Sequence, residues 1–259
     1  MLVTESKLPV QGGPAKRAYV RAMFAAIAPT YDRLNRIISL NLDRHWRRIT
    51  VAQLGWERAP AGRYLDICAG TLDLAGILAG QPGFRGQVVG ADFVPAMLRL
   101  GRTKAERLAP VAADAMELPF ENAIFDGAMV GWGVRNLVDL DAGLREAARV
   151  LKPGARLAVL EMSTPTHQPL RGLYLWYLEH VLPWVGGLIS HHTTAYQWLP
   201  ESTRSFPDAE EVAERMQRAG FHEVQIRRFL GGVTALHVGI RSEQPTANAE
   251  RATGNGGPR

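Results

Sequence analysis

Three carboxylates stand at what read as the ends of consecutive strands. They are Asp66 in the run Asp66-Ile67-Cys68-Ala69-Gly70-Thr71-Leu72-Asp73, Asp92 after Gly86 to Ala91, and Asp114, followed by Ala115, after a short apolar segment. In open α/β sheets ligands bind at the carboxyl ends of strands, where a tight turn brings backbone amides and a helix N-terminus to the ligand. Asp92 falls 22 residues past Gly70, about where an acid that accepts from ribose hydroxyls belongs. A carboxylate accepting such bonds contributes roughly 1.5–3 kcal/mol. Asp114 and Ala115 are placed to meet an adenine edge. The turn is poor in glycine: Ala69 and Leu72 stand where a nucleotide loop prefers it, and a β-carbon in a left-handed position costs about 1–2 kcal/mol. The spacing points to a nucleotide-like site, with a plain strand-to-helix turn as the alternative.

The elements that must position these residues follow from hydrophobic period. Tyr19, Val20, Met23, Phe24 and Ile27 mark a helix from Pro14 that Pro29 ends. A second helix covers Tyr31 to Ser39, and a third begins after Asp43 as N-cap. The period then changes: strands at Arg63 to Cys68, Gly86 to Ala91, Ala109 to Ala112, Asp126 to Gly131 and Arg156 to Glu161 alternate with helices at Asp73 to Ala79, Pro95 to Arg107 and Asp141 to Leu151. That alternation predicts a parallel sheet with helices on both faces. After a helix near Asp208 to Ala219, strands at Glu223 to Phe229 and Val233 to Ile240 are separated only by Leu230-Gly231-Gly232. A connection so short makes them antiparallel, because a parallel pair needs a long crossover.

The chain has 259 residues, 46% hydrophobic and 21% charged, which suits one α/β domain over 15–241 with tails at 1–14 and 242–259. Its single cysteine, Cys68, excludes an intrachain disulfide framework and reads as packing beside the loop. No apolar run approaches the roughly 18 residues of a membrane span and no signal peptide opens the chain, so a soluble, cytoplasmic protein is expected. His191-His192, with His180 before them, lack a third ligand at helical spacing, and no metal is expected. The formal charge of +5 is concentrated. Between Lys16 and Arg58 lie nine basic and three acidic residues, a segment that suits nucleic acid, an anionic membrane or a polyanionic substrate, or else a solvated helical face.

From Val20 to about Gly239 the chain resembles the UbiE/MenG/COQ5 family of quinone-biosynthesis C-methyltransferases. The resemblance rests on Tyr31-Asp32 and Asn35, Trp46-Arg47-Arg48, Leu65-Asp66 with Gly70-Thr71 and Asp73, Gly133-Val134-Arg135-Asn136, Pro200 through Asp208 (with Glu201, Ser202 and Arg204), and Ala235-Leu236-His237-Val238-Gly239. The resemblance implies a Rossmann-like class I methyltransferase fold: a mostly parallel seven-stranded sheet with an antiparallel C-terminal strand, N-terminal helices over 15–58 and a helical lid over 165–200. It implies S-adenosylmethionine (SAM) as cofactor, held by Asp66, Gly70, Thr71, Asp92, Asp114, Ala115 and Gly131. Ala69 and Leu72 replace family glycines, and Gly131 stands where many relatives have serine.

The implied reaction is methylation of a ring carbon of a polyprenylated 1,4-quinol, whether naphthoquinol or benzoquinol. A phenolic hydroxyl with a pKa near about 10 must lose its proton as the carbon attacks, so the site should stabilise an oxyanion. Arg135 and Asn136, after the fourth strand, are the candidate catalytic pair. Tyr31, Tyr196, Arg204 and His237 are further substrate-side candidates. The apolar, aromatic stretch Leu170 to Ile189 is broken by Arg171, Glu179, His180 and Pro183. It suits a lipid-facing lid or homodimer packing, with the N-terminal helices as the opposite wall around an isoprenoid tail. The basic segment lies away from Asp114 and Arg135, so no nucleic-acid partner is expected. Two other readings remain open: a methyltransferase for another small molecule or RNA, and a non-catalytic member of a quinone-biosynthesis assembly.

Overall fold

The computed structural model describes residues 8–10, 12–181 and 193–243. Helices α1 (Gly13–Ile27), α2 (Tyr31–Ile38) and α3 (Leu42–Gln53) precede a repeating strand and helix pattern: β1 (Arg63–Ile67), α4 (Asp73–Ala79), β2 (Gln87–Asp92), α5 (Pro95–Gly101), β3 (Leu108–Ala112), β4 (Phe125–Gly131), α6 (Leu140–Val150) and β5 (Leu151–Met162). Then come α7 (Leu170–Trp176), a single π-helical turn at Tyr177–Val181, α8 (Thr193–Arg204), α9 (Ala209–Arg218), β6 (Phe221–Phe229) and β7 (Thr234–Arg241). The strands form one sheet in the order β3-β2-β1-β4-β5-β7-β6. Only β7 runs against its neighbours, pairing antiparallel with both β5 and β6.

Alternation along the central strands assigns each face. In β4, Ala128 and Val130 pack with Leu144 and Ala147 of α6 and Val212 and Met216 of α9, while Met129 between them packs with Trp46 and Val51 of α3 and Leu74 and Leu78 of α4. A period of two on a sheet covered by helices on both sides gives this result. Strands β2 and β4 lie on opposite sides of β1, so the order reverses there and the crevice above the carboxyl ends of β1 and β4 is the topological switch point.

Several local expectations shift. Helix α1 starts at Gly13 after Gly12 as its cap position, and Leu8 and Val10 pack on Val20, Met23 and Trp198, so the ordered chain begins earlier than a tail over 1–14 allows. Asn41, in a left-handed conformation, precedes α3. Asp43 lies inside the first turn instead of capping it, and accepts from Ser39 Oγ at 2.8 Å. Helix α5 stops at Gly101, short of Arg107, and β5 extends back to Leu151 through a register irregularity opposite Phe125.

Candidate active site

The chain leaves β1 through an unusually bent turn. Cys68, Gly70 and Leu72 all have φ between 52 and 62°, the left-handed region that side chains resist. Asp92 closes this turn against β2: its Oδ2 accepts from Gly70 N–H and its Oδ1 from Val94 N–H, both at 2.8 Å. Burial pushes the Asp92 carboxyl up, and the two amide bonds pull it back. Asp66 does a different job from the expected cofactor contact. It is 1% exposed, accepts from Ala75 N–H at 3.0 Å, lines neither compartment of the crevice, and burial pushes its pKa up to about 7. It braces the start of α4. Thr71 is also a brace: it is buried, and its hydroxyl donates to Asp32 of α2, which Lys104 in turn ties to Asp73.

The two loop residues that replace glycines do not enter the crevice. Leu72 is fully buried in the core with Ala69, and its Cδ2 occupies the space where a β-carbon at Gly90 of β2 would stand. Gly90 in the strand beneath makes room for Leu72 in the loop. At Gly131, a β-carbon would come within 2.9 Å of Leu74 Cδ1, so the missing hydroxyl goes with a leucine packed against that strand end.

Gly70, Asp92, Phe93, Gly131 and Asn136 line the inner part of the crevice, and Asp92, Asp114, Ala115 and Met116 its outer part. Helix α1 lies across it. Arg17 pairs with Asp114 at 2.6 Å. The buried Lys16 donates to the carbonyls of Arg135 at 3.1 Å and Leu137 at 2.6 Å, and burial together with Arg135 lowers its pKa. Arg47 is also buried, beside Asp43 and Asp73 and 4.8 Å above the Trp132 ring. The basic segment is therefore partly internal wiring. Cys68 borders both parts, and burial drives its thiol pKa well up, which suits packing and not nucleophilic work.

Beyond Tyr31 and Trp132, which border both spaces, lies a second cavity of about 280 Å³. Its walls are α2 and α3 on one side (Asn35, Ile38, Trp46) and α7 and the π turn on the other (Tyr174, Tyr177, Leu178), with Leu199 and Val233. Arg135 is the cationic residue of its lining. Its Nη1 donates to Glu161 Oε1 at 2.6 Å and to the Trp132 carbonyl at 2.8 Å, and its backbone N–H donates to Glu161 Oε2. The pair is buried, with side chains 9% and 1% exposed. Asn136 faces the crevice instead, its Oδ1 accepting from Trp198 Nε1 at 2.8 Å. The candidate pair is thus divided between the two spaces.

The remaining substrate candidates separate. Tyr31 stands at the junction, its ring over Gly70. Arg204 lines no part of the cavity; it pairs with Glu179 and Glu201. His237 is 1% exposed, and its Nε2 donates to the Ala209 carbonyl at 2.9 Å. Burial lowers its pKa, so it is a neutral core histidine and not a pocket residue. Tyr196 lies in α8 with its side chain outside the described residues, as are His191, His192 and the part of the lid over 182–192.

A family model described as the ubiE/COQ5 methyltransferase family matches residues 13–241. The chain belongs to this family. Its curated relatives include a ubiquinone/menaquinone biosynthesis C-methyltransferase UbiE of Geobacter sp. strain M21, 41% identical over 86% of this chain and 96% of its own. A demethylmenaquinone methyltransferase of Lactiplantibacillus plantarum is 41% identical over 86% and 95%. One from Staphylococcus haemolyticus is 37% identical over 90% and 98%. Among solved structures, a SAM-dependent methyltransferase from Thermotoga maritima aligns with a TM-score of 0.57 at 20% identity, over 85% of this chain and 99% of its own. The methyltransferase in a Haloferax volcanii complex with the Trm112 activator aligns at 0.61 and 19%, over 85% and 98%. At those identities the likeness concerns the fold, which is the class I methyltransferase fold of these proteins.

Four residues of the site escape sequence reasoning: Glu161, Lys16, Asp32 and Trp132. Glu161 is the final acid of an apolar strand, a weak but readable signal. Trp132, an aromatic between Gly131 and Gly133 just past a strand, is the other. Lys16 reads only as part of the basic segment and Asp32 only beside Tyr31; nothing local shows their partners, which lie 119 and 39 residues away.

Proposed function

We propose that this chain is a SAM-dependent C-methyltransferase acting on the ring of a polyprenylated 1,4-quinol, with demethylmenaquinol as its substrate. One observation carries the reading: an apolar cavity with a buried arginine meets a crevice of nucleotide-binding type at a shared wall, Tyr31 and Trp132. The donor set fits the cofactor. Asp92 would hold the ribose hydroxyls, Asp114 and Ala115 the adenine, and the Gly70 turn the amino acid end. When bound, SAM supplies an activated methyl group and leaves as S-adenosylhomocysteine.

The chain's own work is at the ring. As the carbon attacks, its neighbouring hydroxyl gives up a proton. The new carbon–carbon bond costs the ring its C–H proton, the oxygen is reprotonated, and one proton is released in all. A guanidinium offers donors and no acceptor, so Arg135 favours the oxyanion without itself taking the proton. Glu161 holds that guanidinium in place, and Lys16 fixes the loop that carries it.

The same reading supports contact with a membrane surface. Leu40 (80% exposed) and Leu230 (55%) lie at the cavity's edge. Leu173 (63%) and Trp176 (53%) project from α7, and Arg33, Arg36 and Arg44 are exposed on α2 and α3. Apolar side chains ringed by cations suit an anionic lipid interface. No helix among the described residues is long and apolar enough to cross a membrane.

The test is incubation of purified protein with labelled SAM and short-tailed demethylmenaquinol or demethylated benzoquinol, read as label in the ring. Transfer to the naphthoquinol is expected; no transfer to either overturns the proposal. Flotation with anionic vesicles tests the surface: Leu173→Glu with Trp176→Glu should abolish binding and leave turnover of a soluble short-tailed quinol unchanged. Vesicle binding that survives both changes, or a dimer that they dissolve, would rule this face out as the lipid contact.

A further inference from the structure

Three polar atoms around the apolar cavity have no partner inside the protein. Among the described residues, five buried side-chain nitrogens and oxygens lack a hydrogen bond, and Trp132 Nε1, Tyr174 Oη and Arg135 Nε all belong to residues lining this one cavity. Buried donors are nearly always satisfied, because an unpaired one forfeits its bonds to water. Their concentration at a single, mainly apolar cavity marks where a ligand carries oxygen.

Trp132 bears a second cost. Its φ of 55° is left-handed, a genuine outlier for a bulky aromatic, and such strain persists only where neighbours over-determine it. They do so here: its N–H donates to the Leu160 carbonyl at 2.7 Å, its own carbonyl accepts from Arg135 and Asn136, and Arg47 lies over its ring. The indole is held at the wall between crevice and cavity. Tyr174 approaches from α7, on the far wall. Burial raises its pKa, so it remains a donor throughout the working range.

We propose that Trp132 and Tyr174 read the two ring oxygens of the quinol. The Trp132 indole N–H joins Arg135 on the oxygen beside the reacting carbon, and the Tyr174 hydroxyl donates to the oxygen across the ring. This assignment rests on the quinol reading above. It makes the two residues unequal: the first oxygen gains charge in the transition state and the second does not. Loss of the first donor should lower kcat, and loss of the second should raise KM.

Trp132→Phe and Tyr174→Phe keep each ring and remove one donor. With short-tailed demethylmenaquinol, Trp132→Phe should lower kcat about tenfold, and Tyr174→Phe should raise KM about fivefold with kcat nearly constant. Calorimetry should show SAM affinity unchanged in both. A monohydroxy naphthol lacking the far oxygen should bind the unaltered protein about fivefold more weakly, with no further loss in Tyr174→Phe. In the unaltered protein labelled with 15N at its indoles, the Trp132 N–H resonance should move downfield on addition of a short-tailed naphthoquinone, a measurement independent of how the variants fold. An unchanged kcat in Trp132→Phe, an unmoved indole resonance, or a Tyr174→Phe defect as large with the naphthol as with the quinol each overturns the assignment. If the unaltered protein neither methylates nor binds the quinone, the quinol reading itself has failed.

Discussion

At the carboxyl ends of β1, β2 and β4 the polar side chains are already bound within the protein: Asp92 accepts from the backbone of Gly70 and Val94, Asp66 from that of Ala75, and Asn136 from the Trp198 indole. Across Tyr31 and Trp132, the cavity between α2 and α7 has a mainly apolar wall, and Trp132 Nε1, Tyr174 Oη and Arg135 Nε around it are unpaired. The first region comes from short contiguous segments at strand ends, the second from six separated stretches between Tyr31 and Thr234 that meet only through packing. The crevice can therefore stay constant in a family while the cavity changes. The two are coupled through one loop, 132–138, clamped by Glu161 from the sheet and Lys16 from α1.

Experiments can break that division. The largest effect is expected from Arg135→Ala. It should cut kcat by about two to three orders of magnitude and also destabilise the fold by about 3–5 kcal/mol, because Glu161 is left buried and unpaired. Adding Glu161→Gln should restore much of the melting temperature and none of the activity, with SAM affinity nearly constant throughout. A collapse of SAM binding would move Arg135 to the cofactor region. Next, Asp92→Ala should weaken SAM roughly tenfold to a hundredfold by calorimetry and leave quinone binding alone; a matching loss of quinone binding would mean the regions are not separable.

Smaller effects sharpen the boundary. Leu72→Gly relieves about 1–2 kcal/mol of backbone strain but removes a fully buried leucine whose loss costs about 2–5 kcal/mol. Urea unfolding should show a net loss of about 1–3 kcal/mol with unchanged SAM affinity. The smallest concerns pH. Burial raises the folded-state pKa of Asp66 to about 7 from its ordinary value of 3.8. The folded state therefore holds the extra proton, and this contribution to stability, complete below about pH 4, is lost as pH rises through about 7. Asp66→Asn keeps an acceptor for Ala75 and should flatten the decline measured between pH 5 and 8; an unaltered slope would assign the pH dependence elsewhere.

The division also explains what could be read in advance. Asp92, Gly70, Asp114 and Ala115 are legible because a strand end fixes which side chain faces the crevice within two or three residues. Asp66 misleads by one turn of the same logic: it sits at the right strand end but points beneath α4. His237 looks available until its register opposite Val159 and Ile226 turns it toward Ala209. Trp132 is hidden because its importance lies in an unpaired N–H and a left-handed backbone, neither of which a residue type declares. Leu8 and Val10 read as tail because two apolar residues amid glycine and proline bury nothing until Trp198 arrives from nearly two hundred residues away.

Strand β7 follows β6 in the chain, yet it lies between β5 and β6. Until it is added, β5 has an open edge and β6 has no sheet to join. The central pairing of Val159 with His237 must wait for nearly the whole polypeptide to leave the ribosome. Long-range pairing of this kind slows folding and leaves strand edges exposed meanwhile. A chain stopped shortly before Thr234 would retain the whole crevice-forming half as sequence and still present an unpaired edge to its neighbours, so truncation at that point should yield aggregation in place of a smaller soluble domain.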